Sequence, residues 1–237
     1  MDEDQVVWSP DGAARWLAEA VETGNALTVL PEDIAPRNAA EGREVAFAVL
    51  ERLEIQPCGI RLLYRPGAET LVGPMIEGRL VPAGVPIALD ALRHPVLTVA
   101  VIGVLAAPLD PDSDEAPRFT TLHPALDVSA TRHADASGNT AALTADLARL
   151  GLVVAGRTKP LAPMTVPVSL GAKGGRRRAL PCDLLAAFAE AAKAARSLGG
   201  LPSGDLLVVA GLTPSVPTTG TVTASLGPLG RIEARCA

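Results

Sequence analysis

A long apolar stretch limits what this chain can fold into. The run Pro95–Pro108 covers 14 residues, which is too short for a helix to cross the roughly 30 Å hydrocarbon layer of a membrane. Its central part, VLTVAVIGVL, is rich in β-branched residues and therefore favours a buried strand. Between Ala91 and Leu109 the sequence contains no Asp or Glu, so this predicted strand supplies no carboxylate to any site.

The composition favours a folded unit with an aliphatic core. Of the 237 residues, 48% are hydrophobic but only 3% are aromatic, so Val, Leu, Ala and Ile must fill the core. The net charge is −5, and basic residues do not alternate with aromatic ones, which argues against nucleic acid as a partner. The one basic run, Arg176–Arg178, follows two glycines. It is predicted to be a solvated hairpin tip, with contact to a phosphate or a partner as the alternative.

The cysteines indicate a reducing compartment. Cys58, Cys182 and Cys236 are odd in number and far apart in the chain, so neither a disulfide framework nor a zinc site is predicted. No N-terminal segment resembles a signal peptide. We therefore expect a soluble, cytoplasmic protein that does not associate with membranes. The sequence also lacks the motifs of a serine hydrolase, a P-loop protein and a Rossmann domain.

Helical periodicity is confined to the start of the chain and to one later segment. Helices are predicted over Ser9–Thr23 and Asn38–Leu53, which gives a helical N-terminal section over residues 1–55. Residues 56–237 contain short strands and Gly/Pro turns, with a third helix predicted over Asp183–Leu198. The stretch FTTLHPALDVSATR is predicted to begin as a strand and end as a turn. This order predicts an α+β fold with a mixed or barrel-like sheet, in which the two sections form one continuous unit.

Three stretches of the chain carry a family resemblance. They are HPALDVSATR, GLVVAGRTKPL and the C-terminal LPSGDLLVVAGLTPSVPTTGTVTASLGPLGRIEARC. The first is similar to a PALE motif, the second to a GxVLG strand, and the third to the ending of the branch that contains 2-keto-4-pentenoate hydratase and oxalocrotonate decarboxylase. Together they resemble the fumarylacetoacetate hydrolase superfamily over most of the chain. The resemblance implies a β-rich fumarylacetoacetate hydrolase-like body but does not fix the activity.

The resemblance implies a divalent metal held by three carboxylates, two from a Glu-x-Glu pair on a strand and one from the PALE motif. Such a cation chelates the adjacent carboxylate and keto oxygens of a 2-oxo acid and stabilises its enolate. Here the Glu-x-Glu positions correspond to Leu97 and Val99, while Asp127 keeps the third carboxylate. Because one carboxylate does not hold Mg²⁺ tightly, we predict no cofactor and no tightly bound metal. Weak Mg²⁺ binding through Asp127 is the alternative.

Two further positions are implied by the resemblance. The lysine of the family's G-x-K strand becomes Arg61 in GIRLLY. Arginine is a poor base, but its fork can hold a carboxylate; a surface position on an edge strand is the alternative. The turn Gly211-Leu212-Thr213 borders the substrate pocket in the family, and Thr213 is predicted to donate its hydroxyl or backbone N–H to a substrate carboxylate. A tight turn without a binding role is the alternative.

The sequence leaves three hypotheses about function open. In the first, the protein is a divergent hydratase- or decarboxylase-like lyase that binds a small 2-oxo acid or related carboxylate through Arg61 and Thr213, with Asp127 as the acid–base group. In the second, it is a catalytically silent paralogue that serves as a structural or regulatory subunit. In the third, the apolar Leu97 and Val99 refit the pocket for a larger apolar ligand in a biosynthetic pathway. We expect an oligomer, formed by identical chains or with an active homologue.

Overall fold

A computed structural model describes residues 8–136, 138–160 and 162–236. The helices in these parts of the chain are α1 (Pro10–Thr23), α2 (Ala39–Arg52), α3 (Thr140–Ala145) and α4 (Leu184–Arg196). The strands are β1 (Gly59–Leu63), β2 (Leu71–Met75), β3 (Leu80–Pro82), β4 (Pro86–Ile87), β5 (Arg93–Leu105), β6 (Phe119–Thr131), β7 (Leu150–Ala155), β8 (Thr165–Ala172), β9 (Leu180–Asp183), β10 (Leu206–Ala210), β11 (Val216–Pro217), β12 (Gly220–Ser225) and β13 (Arg231–Cys236).

The two N-terminal helices begin at capping residues that their sequence supplies. The Ser9 hydroxyl accepts a hydrogen bond from the backbone N–H of Asp11 at the start of α1. The Asn38 side chain does the same for the N–H of Glu41 at the start of α2. Gly24 ends α1 with a φ of 70°, a left-handed conformation that glycine adopts without a Cβ clash. These bounds confirm both predicted helices to within one residue.

Eight strands form the larger sheet, which we call the main sheet. Seven follow the order β2-β1-β10-β5-β6-β7-β3, and β11 pairs with one end of β5. Strands β5 and β6 have 13 residues each and pair antiparallel along almost their whole length. The prediction that FTTLHPALDVSATR ends as a turn is wrong. The segment stays a strand as far as Thr131, because β5 and β7 bond to it from both sides.

Five strands form the second sheet, in the order β4-β13-β12-β8-β9. The second sheet and α4 cover one face of the main sheet, and the apolar residues between them, including Leu97, Val99 and Phe188, form the inner core. Helices α1, α2 and α3 cover the opposite face, and the apolar residues there, including Leu17 and Val49, form the outer core. Successive residues of β5 point alternately into the two cores, as strand geometry requires.

The element order confirms the α+β fold class. The N-terminal helices share the outer core with β1, β2 and β10, so they pack directly on the main sheet. The prediction missed α3, whose six residues cover fewer than two helical turns and show no periodicity. No helix in the described part of the chain has the length and apolar character needed to cross a membrane.

Candidate active site

A buried ion pair joins β1 to β6 on the face of the main sheet that α1–α3 cover. The Nε of Arg61 donates to Asp127 Oδ1 at 2.6 Å, and a terminal guanidinium nitrogen donates to Oδ2 at 2.6 Å. Neither side chain has exposed surface. Two parallel N–H···O bonds between planar groups make this a bidentate pair, the strongest form of carboxylate recognition by arginine.

Further bonds complete the network around this pair. Arg61 also donates to the carbonyl oxygen of Ala148 and to the hydroxyl of Ser129, both at 2.8 Å. Ser129 in turn donates its hydroxyl proton to Asp127 Oδ2 at 2.6 Å. Four of the five N–H groups of the guanidinium are therefore bound within the protein.

The network corrects the roles predicted for both residues. Arg61 was expected to hold a substrate carboxylate, but it holds Asp127, 66 positions away in the sequence. Asp127 was expected to act as an acid–base group or weak metal ligand, but both of its oxygens are engaged by Arg61 and Ser129. The physical reason is that a buried charge is costly unless it is paired, and each of these two residues supplies the opposite charge that the other needs.

The pairing of β5 with β6 corrects the predicted register by one residue. Thr98 lies opposite Asp127, whereas Leu97 lies opposite Val128. Residues that face each other across an antiparallel pair point to the same side of the sheet. Leu97 and Val99 therefore point into the inner core, away from Asp127, and are not in the wall of the site.

A cavity of about 290 Å³ lies beside the ion pair. Its wall is formed by the end of β1 and the segment after it, the start of β5, one residue of β6, and the turns before β7 and β11. The polar or charged residues in the wall are Tyr64, Arg65, Thr98, Ser129, Arg149, Thr213 and Ser215. Among the described residues, the wall holds two arginines and several hydroxyls but no carboxylate and no histidine.

Tyr64 lines the cavity and also packs against the inner core. Its hydroxyl donates to Glu190 of α4 at 2.8 Å, which places the ring on the inner-core side of the sheet. Burial raises the pKa of Tyr64, and the bond to Glu190 raises it further. Tyr64 is therefore a protonated donor that is already engaged.

The turn Gly211-Leu212-Thr213 is bonded to β5. The N–H of Gly211 donates to the Thr98 hydroxyl at 3.2 Å, and the Thr213 hydroxyl accepts the N–H of Val99 at 3.2 Å. Gly211 has a φ of 74°, and a Cβ there would lie 2.1 Å from the carbonyl oxygen of Tyr64, so only glycine fits. Thr213 lies in the cavity wall, and its contact with a substrate stays a prediction.

Sequence reasoning missed Arg149. It ends a tight turn in which Leu147, Ala148 and Arg149 all have positive φ, at 49°, 50° and 61°, a conformation that is uncommon outside glycine. Burial lowers the pKa of Arg149, and the nearby charges of Arg61 and Arg65 lower it further, while Asp146 raises it. The only sequence signal was a single charge inside the apolar stretch LARLGLVVA.

These residues do not fit a divalent cation. In the described parts of the chain, no group of three or more His, Cys, Asp and Glu side chains could hold a metal ion. Asp127, the one carboxylate of the expected set, is closed by a guanidinium at 2.6 Å. A hard cation needs several oxygen ligands, and the charge of Arg61 would repel it.

Comparison with solved structures decides the fold. The 4-oxalocrotonate decarboxylase from Pseudomonas putida G7, complexed with magnesium and adipate, superimposes with a TM-score of 0.82 over 96% of this chain and 97% of that one, at 18% identity. This chain has the fumarylacetoacetate hydrolase fold. The fumarylpyruvate hydrolase from Pseudomonas aeruginosa, in complex with Mn²⁺ and pyruvate, has a TM-score of 0.55, 15% identity, and coverage of 77% of this chain and 90% of that one.

The fumarylacetoacetate hydrolase fold is the fold that the resemblance of the sequence motifs predicted. The agreement extends over almost the whole length of the oxalocrotonate decarboxylase. No family model matches the sequence. No curated protein matches it either. At 18% identity the likeness shows the fold, and the chemistry has to be argued from the site.

Proposed function

We propose that the protein is a lyase that acts on a small 2-oxo acid without a divalent metal. The observation that carries the proposal is the cavity beside the Arg61–Asp127 pair, whose described wall combines arginines and hydroxyls with no acid. Such a wall repels a cationic ligand, whereas a small carboxylate gains charge-assisted hydrogen bonds that are stronger than those of a neutral ligand. The fold supports the same class of ligand, since solved neighbours are complexed with adipate or pyruvate.

The wall also favours one kind of lyase over another. Among its described residues there is no Asp, Glu, His or Lys, and Asp127 is closed off behind Arg61. Hydration and isomerisation need a group that moves a proton at carbon. Loss of CO₂ from a β-keto acid needs only stabilisation of the electron pair that is left behind. We therefore favour decarboxylation.

The proposed step is balanced without any added reagent. The substrate is a 2-oxo acid whose second carboxylate lies β to the keto group, directly or through a double bond. The C–C bond to that carboxylate breaks, CO₂ leaves, and the electron pair moves to the keto oxygen to give an enolate. Donors in the wall stabilise the enolate oxygen, and water then supplies the proton to carbon.

A catalytically silent subunit is the second candidate function, and the lack of a base in the described wall favours it too. In that case the cavity binds a carboxylate without converting it. The protein would then act inside an oligomer, built from identical chains or with an active homologue. The two candidates share the ligand class and differ only in turnover.

Oxaloacetate tests the proposal, because its second carboxylate lies β to the keto group. EDTA removes divalent ions that would decarboxylate this compound by themselves. In EDTA we expect the protein to release CO₂ faster than the uncatalysed reaction by about 10²-fold or more. Hydration of a 2-hydroxypentadienoate should be absent. Oxaloacetate that binds but is not consumed would contradict the lyase proposal and support the silent subunit.

A further inference from the structure

Arg149 has fewer hydrogen-bond partners than the other cation of the cavity, Arg65. Its Nε is buried and has no hydrogen-bond partner among the described residues. A terminal nitrogen reaches the carbonyl oxygen of His94 only at 3.5 Å. Arg65, the other arginine of the wall, is bound to the Glu69 carbonyl at 2.9 Å and to the Thr140 hydroxyl at 3.2 Å. A buried N–H without an acceptor is costly, so Arg149 is poised to receive one.

The turn that carries Arg149 is fixed from two sides. Arg61 donates to the carbonyl oxygen of Ala148 at 2.8 Å, one residue before Arg149. Arg132 binds both the side chain and the carbonyl oxygen of Asp146. On the inside, a Cβ at Gly73 would lie 2.6 Å from that of Ala148, so the turn packs directly against β2. This left-handed turn is held by its surroundings, which is how strained segments persist at functional sites.

The adjacent oxygens of a 2-oxo acid match the N–H donors of the Arg149 guanidinium. A 2-oxo acid presents a carboxylate oxygen and a keto oxygen side by side, and a divalent ion can bind both. The planar fork of an arginine offers two parallel N–H groups to the same pair of oxygens. Resting on the proposed function, we propose that Arg149 holds the adjacent oxygens of the 2-oxo acid, in the role that a divalent ion would have. The Arg61–Asp127 pair is then a positioning device that sets the turn.

The charges around Arg149 support this assignment. Burial and the like charges of Arg61 and Arg65 lower its pKa, so an anion in the cavity relieves an existing cost. The charges of Asp146 and Asp127 raise the pKa and offset this lowering only in part, since the pKa stays below its ordinary value. When the C–C bond breaks, the electron pair arrives on an oxygen that Arg149 already contacts.

Oxalate is the probe, because it carries two adjacent oxygen pairs and cannot lose CO₂ by this route. Binding is measured by calorimetry in EDTA for the parent, Arg149→Gln, Arg149→Lys and the control Arg157→Gln, an exposed arginine in a separate cavity. We expect Arg149→Gln to weaken oxalate binding by at least tenfold, Arg149→Lys by less, and Arg157→Gln not at all. Oxaloacetate turnover by Arg149→Gln should fall by about 10²-fold.

The Nε–H resonance of Arg149 gives a readout that a merely structural role would not move. On addition of oxalate it should shift, whereas that of Arg132, already bound to Asp146, should stay. Equal oxalate binding by the parent and Arg149→Gln would overturn the inference while leaving turnover as the separate test of the lyase. No binding of oxalate by the parent would overturn it as well. If the parent binds oxalate, Arg149→Gln does not, and the parent still fails to turn over oxaloacetate, the inference is supported and the lyase proposal is contradicted.

Discussion

The two faces of strands β5 and β6 differ in character. On the inner face, Leu97 and Val99 are fully buried among aliphatic side chains. On the opposite face, one residue along, Thr98 lies across from Asp127, which is bound to Arg61. The same strands are thus core on one side and the floor of a polar site on the other. A register shift of one residue would exchange the residues that point to the two faces.

This difference shows which face of the strands carries the polar groups. The resemblance implies two further carboxylates and a metal at this place, and one hypothesis was that the apolar Leu97 and Val99 refit the pocket. The polar face instead keeps its carboxylate, Asp127, and supplies the positive charge from within the chain through Arg61.

Breaking the ion pair should have the largest effect on either face. Arg61→Met leaves the Asp127 side chain buried without its guanidinium partner, so we expect the free energy of unfolding to fall by about 3–5 kcal/mol. Chemical denaturation measures this. The double variant Arg61→Met/Asp127→Leu removes both charges and should recover most of the loss. A single variant as stable as the parent would show that the pair is not closed off from water.

Neighbouring residues of β5 should respond differently to truncation. Leu97→Ala opens a hole in the inner core and should cost about 2–5 kcal/mol. Thr98→Ala removes only the bond from the N–H of Gly211 and should cost about 0.5–1.5 kcal/mol. Denaturation curves of the two variants compare the faces directly. The reverse order of cost would contradict the assigned register.

Carboxylates placed on the two faces should respond differently to Mg²⁺. Arg61→Met/Val96→Glu/Thr98→Glu gathers three acids on the polar face, and Mg²⁺ at about 100 times its Kd should stabilise it by about 2.7 kcal/mol. The matched control, Arg61→Met/Leu97→Glu/Val99→Glu, puts the acids in the inner core. It should melt at lower temperature and ignore Mg²⁺. If Mg²⁺ stabilised only the control variant, the register expected from the sequence would be the correct one.

Alkaline pH should weaken both cores slightly. Cys58 packs at the outer core and Cys182 at the inner core, and burial raises the pKa of each thiol from 9.0 to about 11. Because folding favours the protonated thiols, their stabilisation is complete below pH 9 and is lost as the pH rises from 9 to about 11. Denaturation over this range measures the slope. Cys58→Ala and Cys182→Ala should each flatten it, and an unchanged slope in both would contradict the assigned burial.

The positions of the helices and strands were easier to predict from the sequence than the contacts between them. Capping residues and apolar periodicity are local, so α1 and α2 could be located to within one residue of their ends. The bond between Arg61 and Asp127 joins positions 66 apart and exists only once β1 and β6 lie in one sheet, which no local pattern records. The register of β5 failed for a related reason: residues 96–102 are almost all apolar, so alternation could not mark which face is polar.

Calorimetric titration of the parent protein with Mg²⁺ tests the central claim most directly, namely that the Arg61 guanidinium takes the place of a divalent ion at Asp127. Because both oxygens of Asp127 are bound within the protein and the described chain has no group of three or more His, Cys, Asp and Glu side chains that could hold a metal ion, we expect no binding in the micromolar range. A one-site isotherm with a micromolar Kd would contradict the claim.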